Sequence, residues 1–339
     1  MTTVYAGIMA GGVGTRLWPL SNKSRPKQLI PFLNNSSLLD QAIERVMSVA
    51  TAPETIFVVT SNEQEALINN AVGNSIGFVV SEPEGRNTAP ALLLGCYRVF
   101  QKDPEAVIIF LPADHFIPDV QAFTAIVNQA VAYVAVHNKI ALFGLKPRSA
   151  AIGYGYIQTN PTSQNDGCFS VAQFHEKPTL ALAQAYAQRD DMLWNMGIFV
   201  AKASTFLQEF KTCAPMLSLA MQAYLSGTCA YADLENISVD YAVMEKSCNT
   251  VVFAADLEWY DVGNVYTFLQ LKETYAHDNV AVINVDATGN MAYSKKKFVA
   301  CIGVDDLCII ETDDALLIVK KDKAELVKQV SVKINELTL

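Results

Sequence analysis

The first half of the chain alternates short, β-branched apolar runs with longer segments of helical period, and few architectures accommodate that alternation. Strands are expected at Val4–Met9, Ile56–Thr60, Phe78–Val80, Val107–Leu111 and Ile140–Gly144. Helices are expected between them. Ser37-Leu38-Leu39-Asp40 reads as a capping box, followed by Leu39, Ile43, Val46 and Ala50 at helical spacing. Thr88 is positioned to cap a helix through Phe100, and a third helix runs from Val120 to His137. The reading is an α/β body on a mostly parallel sheet.

Past Gly153 the alternation loosens. Tyr154–Gln158, Phe169–His175 and Trp194–Val200 read as strands inserted among helices, an elaboration suited to holding a substrate. From Val280 onward short apolar runs crowd together (Val280–Val285, Phe298–Val304, Leu307–Glu311, Ala315–Val319), separated by Asp/Gly/Asn turns, so this stretch is expected to be all-β. An amphipathic helix closes the chain, with Asp322 as its N-cap, Glu325 three residues later, and Val327, Val330, Ile334 and Leu337 on one face. A boundary near Asp278 divides residues 1–278 from 279–339.

Composition removes several classes. At 339 residues and 51% hydrophobic, neither disorder nor a small disulfide scaffold fits. The balance of 25 Lys+Arg against 34 Asp+Glu, net −9, leaves no footprint for nucleic acid. The basic runs Lys295–Lys297 and Lys320, Lys321, Lys323 are short enough to be solvated surface. Seven cysteines, without a C-x-x-C pair, read as reduced thiols rather than a zinc site. The start Met1-Thr2-Thr3-Val4 has no charged, apolar leader, and no apolar run approaches the roughly eighteen residues a membrane span needs. The expectation is a soluble cytoplasmic protein.

The strongest local signal follows the first strand: Ala10-Gly11-Gly12-Val13-Gly14-Thr15-Arg16-Leu17, then Pro26-Lys27. Glycines at 11, 12 and 14 let backbone approach a ligand closely and turn N–H groups toward phosphate oxygens. The loop lacks the Gly-Lys-Ser/Thr of a Walker A motif, and Leu17 stands where G-x-G-x-x-G needs its last glycine. What remains is a glycine loop with Arg16 inside it and Lys27 beyond it, two cations suited to a triphosphate. A glycine-rich turn with surface cations is the competing reading of this stretch alone. Asp114, just after the apolar run Val107–Leu111, belongs at the carboxyl end of a central strand, where open α/β sheets bind ligands. A carboxylate beside phosphates suits Mg²⁺; a capping aspartate is the alternative. Asn195, among Trp194, Met196 and Phe199, needs partners if buried; sugar hydroxyls or a structural bond would serve. Gly153-Tyr154-Gly155-Tyr156 would let backbone lie against a flat sugar, or relieve a tight turn.

Gly11–Ser21 with Pro26-Lys27-Gln28 resembles the signature of the sugar-1-phosphate nucleotidylyltransferases, closest to the branch that makes GDP-mannose. The resemblance continues in order through Glu82–Ala91, Pro112-Ala113-Asp114-His115, Gly153–Ile157, Phe174-His175-Glu176-Lys177-Pro178, Trp194–Phe199 and Asp261-Val262-Gly263. It implies a Rossmann-like nucleotidyltransferase domain followed by a small left-handed β-helix. It further implies GTP and α-D-mannose 1-phosphate as substrates, GDP-mannose and pyrophosphate as products, Mg²⁺ as cofactor and a homodimer. Longer family members carry an isomerase domain after the β domain, so only the transferase activity is expected here. Another sugar 1-phosphate or base, or a non-catalytic nucleotide-sugar-binding relative, are the alternatives within reach of the same motifs.

By that resemblance Gly11, Gly12, Gly14, Thr15, Arg16, Lys27, Arg86, Asn87 and Thr88 hold the nucleotide, with Arg86-Asn87-Thr88 near the base. Gly155, Glu176, Lys177 and Asn195 hold the sugar phosphate: the lysine contacts the phosphate and the glutamate a hydroxyl. Asp114 and Asp261 hold the metal, and Arg16, Lys27 and Asp114 are catalytic. The family usually continues Asp-Val-Gly with Ser/Thr-Trp; this chain has Asn264-Val265. No general base is required. A phosphate monoester with a second pKa of about 6 is already largely a dianion at neutral pH. The difficulty is bringing two polyanions together, which calls for cations and positioning.

Overall fold

A computed structural model describes residues 2–163, 167–276, 282–294 and 297–337. Asp278, Val280, Lys295 and Lys296 lie outside them. The chain divides into two compact units, neither of them a single segment. The first comprises Met1–Gly11, Ile43–Pro112 and Ile117–Trp259; the second comprises Gly12–Ala42, Ala113–Phe116 and Tyr260–Leu339.

The first unit is built on a nine-stranded sheet. Its strands, numbered in chain order, are β1 (Val4–Met9), β2 (Ile56–Ser61), β3 (Phe78–Glu82), β4 (Val107–Pro112), β5 (Ile140–Leu145), β6 (Tyr156–Thr159), β7 (Phe169–His175), β8 (Met192–Lys202) and β9 (Thr250–Ala255). They lie in the order β3-β2-β1-β4-β8-β5-β9-β7-β6. β3, β2, β1 and β4 are parallel, as the alternation requires. β8 runs antiparallel to both β4 and β5, so the sheet as a whole is mixed. The inserted strands after Gly153 account for this change of direction. The near-continuous apolar runs are explained by burial on both faces: Ile108, Ile109 and Phe110 of β4 have no exposed surface. Phe57 and Phe110 meet edge to face with centroids 5.9 Å apart, inside a core that the helix Thr88–Phe100 covers with Leu92, Leu93 and Cys96.

Helix starts follow local hydrogen-bond chemistry. Ser37 and Asp40 form the expected reciprocal box: Ser37 N–H donates to Asp40 Oδ2 at 2.9 Å and Asp40 N–H to Ser37 Oγ at 3.1 Å. The helix expected to be capped by Thr88 is capped one residue earlier, by Asn87, whose Oδ1 accepts from Thr88 N–H at 2.9 Å. Asn87 holds φ at 68°, a left-handed conformation that asparagine tolerates better than threonine. Asp322, expected as a cap, sits inside a 3₁₀ segment, Lys321–Leu326, and the α-helix begins after it at Val327. Of that helix's expected apolar face Val327 is buried, whereas Val330 is 38% exposed.

The second unit gathers Leu17, Leu20, Phe32, Phe268, Ile310 and Val327 into one core. Its distal part is a β-helix. Val282–Val285 pairs in parallel with Val299–Ile302, and Met291–Tyr293 with Leu307–Glu311. In both pairs the partner is 17 residues further on, the same offset at which Asn290 Oδ1 accepts from Leu307 N–H. Asn290 stitches the coils: its Nδ2 donates to Asn284 Oδ1 at 2.8 Å and to Val304 O at 2.7 Å. Only 9% of Asn290 is exposed. Asn290→Ala should therefore lower the urea midpoint by an amount equivalent to about 1–3 kcal/mol, because Leu307 N–H and Val304 O lose their partner in a half-buried setting. An unchanged midpoint would show that the stitching contributes nothing.

Candidate active site

Two clusters of candidate side chains stand in the second and first units respectively. In the second, Gly14 adopts φ 79° and opens the 3₁₀ turn Thr15–Leu17. A Cβ at Gly14 would lie 2.4 Å from Lys27 Cβ, so only glycine lets the lysine stem pass. Lys27 N–H donates to Val13 O at 3.3 Å, and its ammonium forms an ion pair with Asp114. Gly12 and Arg16 are exposed, and Thr15 and Gly14 are half-buried.

Asp114 and Asp261 are brought together by two very short strands. His115–Phe116 pairs antiparallel with Tyr260–Asp261, with Asp261 opposite His115, and Val262 N–H donates to Asp114 O at 3.0 Å. Donor atoms of Asp114, His115 and Asp261 all lie within 4.8 Å of one another. Burial disfavours both carboxylates, but their environments push them apart. The Lys27 charge and hydrogen bond, with a contribution from His115, outweigh burial at Asp114 and hold it below the usual carboxylate range. Asp261 is pushed up to about 6, first by burial and then by the Asp114 charge, with Lys27 and Arg16 opposing. At Lys27 burial acts to lower the ammonium's pKa, and the two aspartates more than reverse it. Asp261 Oδ1 is buried and has no hydrogen-bond partner among the described residues. Two oxygen donors, one of them unsatisfied, beside a phosphate-suited loop fit a hard divalent cation such as Mg²⁺.

The first unit holds Gly11, Arg86, Asn87, Thr88, Gly155, Glu176, Lys177 and Asn195. Arg86 pairs with Glu84 at 3.1 Å, and Thr88 Oγ1 accepts from Val239 N–H at 2.9 Å. Glu176 and Lys177 are joined at 2.5 Å. Lys177 holds φ at 44° immediately before Pro178, an unusual backbone for any side chain and more so ahead of proline. A Cβ on Gly155 would lie 2.7 Å from Glu176 Oε2, so this glycine makes room for the carboxylate rather than for a turn. The Asn195 amide is satisfied by protein: Oδ1 accepts from Gly197 N–H at 3.0 Å and Nδ2 donates to Asp240 Oδ1 at 3.2 Å. One donor and one lone pair of that amide remain for a ligand.

Several residues of this unit escaped sequence reasoning. Asp240 opens a π-helical turn, Asp240–Met244, and burial followed by the Glu176 charge raises it to about 7. Glu245, at the end of that turn, accepts the Glu176 N–H at 2.9 Å. Glu82 terminates β3 and is 4% exposed. Its Oε1 accepts from Tyr231 Oη at 2.6 Å, and its Oε2 lies 3.6 Å from where a Gly11 Cβ would stand. The available signal was acidic residues in apolar stretches, Val239-Asp240-Tyr241-Ala242-Val243 and Val79-Val80-Ser81-Glu82.

Comparisons with known proteins place the chain in a family. The Nucleotidyl transferase family pattern matches residues 5–278, and the MannoseP isomerase/GMP-like beta-helix domain pattern matches 280–334. The xanthan biosynthesis protein XanB of Xanthomonas campestris pv. campestris (strain ATCC 33913) is 35% identical, over 97% of this chain and 73% of the relative. The mannose-1-phosphate guanylyltransferase of Escherichia coli (strain K12) is 35% identical, over 96% and 72%. A crystal structure from Thermus thermophilus, described as a mannose-1-phosphate geranyltransferase, superposes with a TM-score of 0.88 at 31% identity, covering 98% of this chain and all (100%) of the other. No helix among the described residues is long and apolar enough to cross a membrane.

Burial raises the Glu82 carboxyl from 4.5 to about 7, against the Tyr231 hydrogen bond. A raised folded-state pKa means that the folded chain binds the proton more tightly, so stability is complete below about pH 4.5 and declines as pH rises through about 7. Glu82→Gln, which keeps an acceptor for Tyr231, should be more stable than the wild type at pH 8 by on the order of 2–3 kcal/mol, with the gap closing towards pH 4.5. Thermal melts across that range check this, and a pH-independent gap would refute it.

Proposed function

Because the chain belongs to the nucleotidyl transferase family, we propose that it transfers a guanylyl group from GTP to α-D-mannose 1-phosphate, giving GDP-mannose and pyrophosphate. The observation that carries this reading is the half-buried set Lys27, Asp114 and Asp261 beside the glycine loop, with the two carboxyls driven in opposite directions. An oxygen of the sugar phosphate attacks the α-phosphorus, the bond from that phosphorus to the bridging oxygen breaks, and the electron pair leaves with pyrophosphate. The chain's own residues position and neutralise. Lys27 and Arg16 face the triphosphate, and the loop's backbone N–H groups cradle it. Lys177 holds the sugar phosphate, while Glu176, Asn195 and Asp240 meet sugar hydroxyls. Asp114 and Asp261 would hold Mg²⁺, which when bound neutralises charge on phosphate oxygens. Since the nucleophile is already an anion, no side chain need remove a proton.

Glu82 suits the base. Ionised, as it is predominantly above about pH 7, its carboxylate only accepts hydrogen bonds, and guanine presents two adjacent donors, N1–H and N2–H₂, that adenine lacks. Pyrophosphate release measured with GTP, ATP, UTP and dTTP against mannose 1-phosphate and glucose 1-phosphate should give its highest kcat/KM for GTP with mannose 1-phosphate; no turnover with any pair would sink the proposal. Asp261→Asn should reduce kcat/KM by roughly 10²-fold, the scale of one electrostatic contact to a reacting phosphate, while melting as a folded protein. Full activity in that variant would remove Asp261 from the site.

A further inference from the structure

Arg16 is held from an unexpected direction. Its Nε lies 3.3 Å from Glu325 Oε2, in the 3₁₀ segment Lys321–Leu326 far along the chain. Glu325 is itself fixed: its Oε1 accepts from Asn264 Nδ2 at 2.8 Å. Asn264 is fixed in turn, because its Oδ1 caps the helix Val265–Leu271 by accepting from Thr267 N–H at 3.0 Å. Both ends of this relay rest on one core, in which Ala324 and Val327 flank Glu325 and pack with Leu17, the neighbour of Arg16, and with Leu269 of the capped helix. All of these residues belong to the second unit. Asn264 is also the position where the sequence leaves the family's usual Ser/Thr.

We infer that Glu325 and Asn264 are positioning residues for Arg16: they grip its Nε and so aim the terminal guanidinium nitrogens at the triphosphate. The inference rests on the reading that Arg16 binds that triphosphate. The contact geometry favours aiming over blocking. The carboxylate's closest approach is to Nε, the nitrogen set back from the two-nitrogen fork that phosphate oxygens engage, whereas a competitor of the triphosphate would approach that fork first. The terminal segment thereby gains a part in substrate binding without touching substrate.

The test is steady-state kinetics of the full chain with GTP as varied substrate. Glu325→Ala should raise KM for GTP roughly three- to fivefold, the scale of one exposed ion pair, with kcat within about twofold of wild type. Glu325→Gln, whose single amide oxygen can still accept from one of the two neighbours, should recover part of that loss. Asn264→Asp keeps the helix cap but sets a like charge against Glu325, so it should raise KM without lowering the melting temperature. In an Arg16→Ala background the Glu325→Ala change should have no further effect. An unchanged or lowered KM in Glu325→Ala overturns the inference alone, provided Arg16→Ala still weakens GTP. An unaltered KM in Arg16→Ala removes Arg16 from the triphosphate site and takes the inference with it.

Discussion

The arrangement depends on one lysine threaded past a glycine to a half-buried carboxylate. A charge taken out of water is costly, and an ion pair recovers that cost only with good geometry. Gly14 supplies the geometry by leaving no Cβ in the path of Lys27, and the strand pair His115–Phe116 and Tyr260–Asp261 supplies the partner. Once Lys27 is engaged by Asp114, the neighbouring Asp261 is left with a repelling carboxylate and an unpartnered oxygen. Each residue alone is ordinary chemistry; together they form an appetite for one more positive charge. A hard divalent cation would suit such a site, and phosphate oxygens seek the same kind of ion.

The two candidate clusters are tied differently. In the second unit Lys27 and the paired aspartates sit on short segments joined by a two-residue strand pair. In the first, hydrogen bonds hold the charged groups in place, with Asn195 bonded to Asp240 and the Glu176 N–H to Glu245. Irregular backbone lies beside these residues, in the register shift of β8 between Asn195 and Phe199, the left-handed Lys177 and the π-helical turn at Asp240. Such features re-aim side chains at the cost of regular pairing, and they persist where the surrounding fold determines them.

Much of this was legible beforehand because it depends on local rules. β1 and β7 are found at their expected limits, and the box at Ser37 and Asp40 forms as the spacing requires. The glycine loop, its two cations and Asp114 also follow from local chemistry. What escaped depends on contacts made across sequence. Threonine caps well, so the pattern points to Thr88; the choice of Asn87 follows from a φ that no linear pattern reveals. Glu82 and Asp240 look like ordinary acidic residues until Tyr231 and Asn195 arrive from elsewhere. At Asn264, where the sequence departs from the family, the amide links a helix cap to Glu325, a contact that no linear pattern shows.

The constant offset of the β-helix has a consequence for how such a chain can change length. Its ladder fixes a period of 17 residues, and inside that period successive side chains face opposite ways, Ala292, Cys301 and Ile309 into one cluster and Met291, Cys308 and Ile310 into another. Inserting or deleting a single residue within a strand would exchange the two sets from that point to the end of the coil, and one placed between Asn290 and Val304 would move Asn290 out of register with Val304 and Leu307. Adding or removing one whole period leaves every rung in phase. Length in this region is therefore quantised: drift by single residues is confined to the turns, and growth within the ladder proceeds a coil at a time.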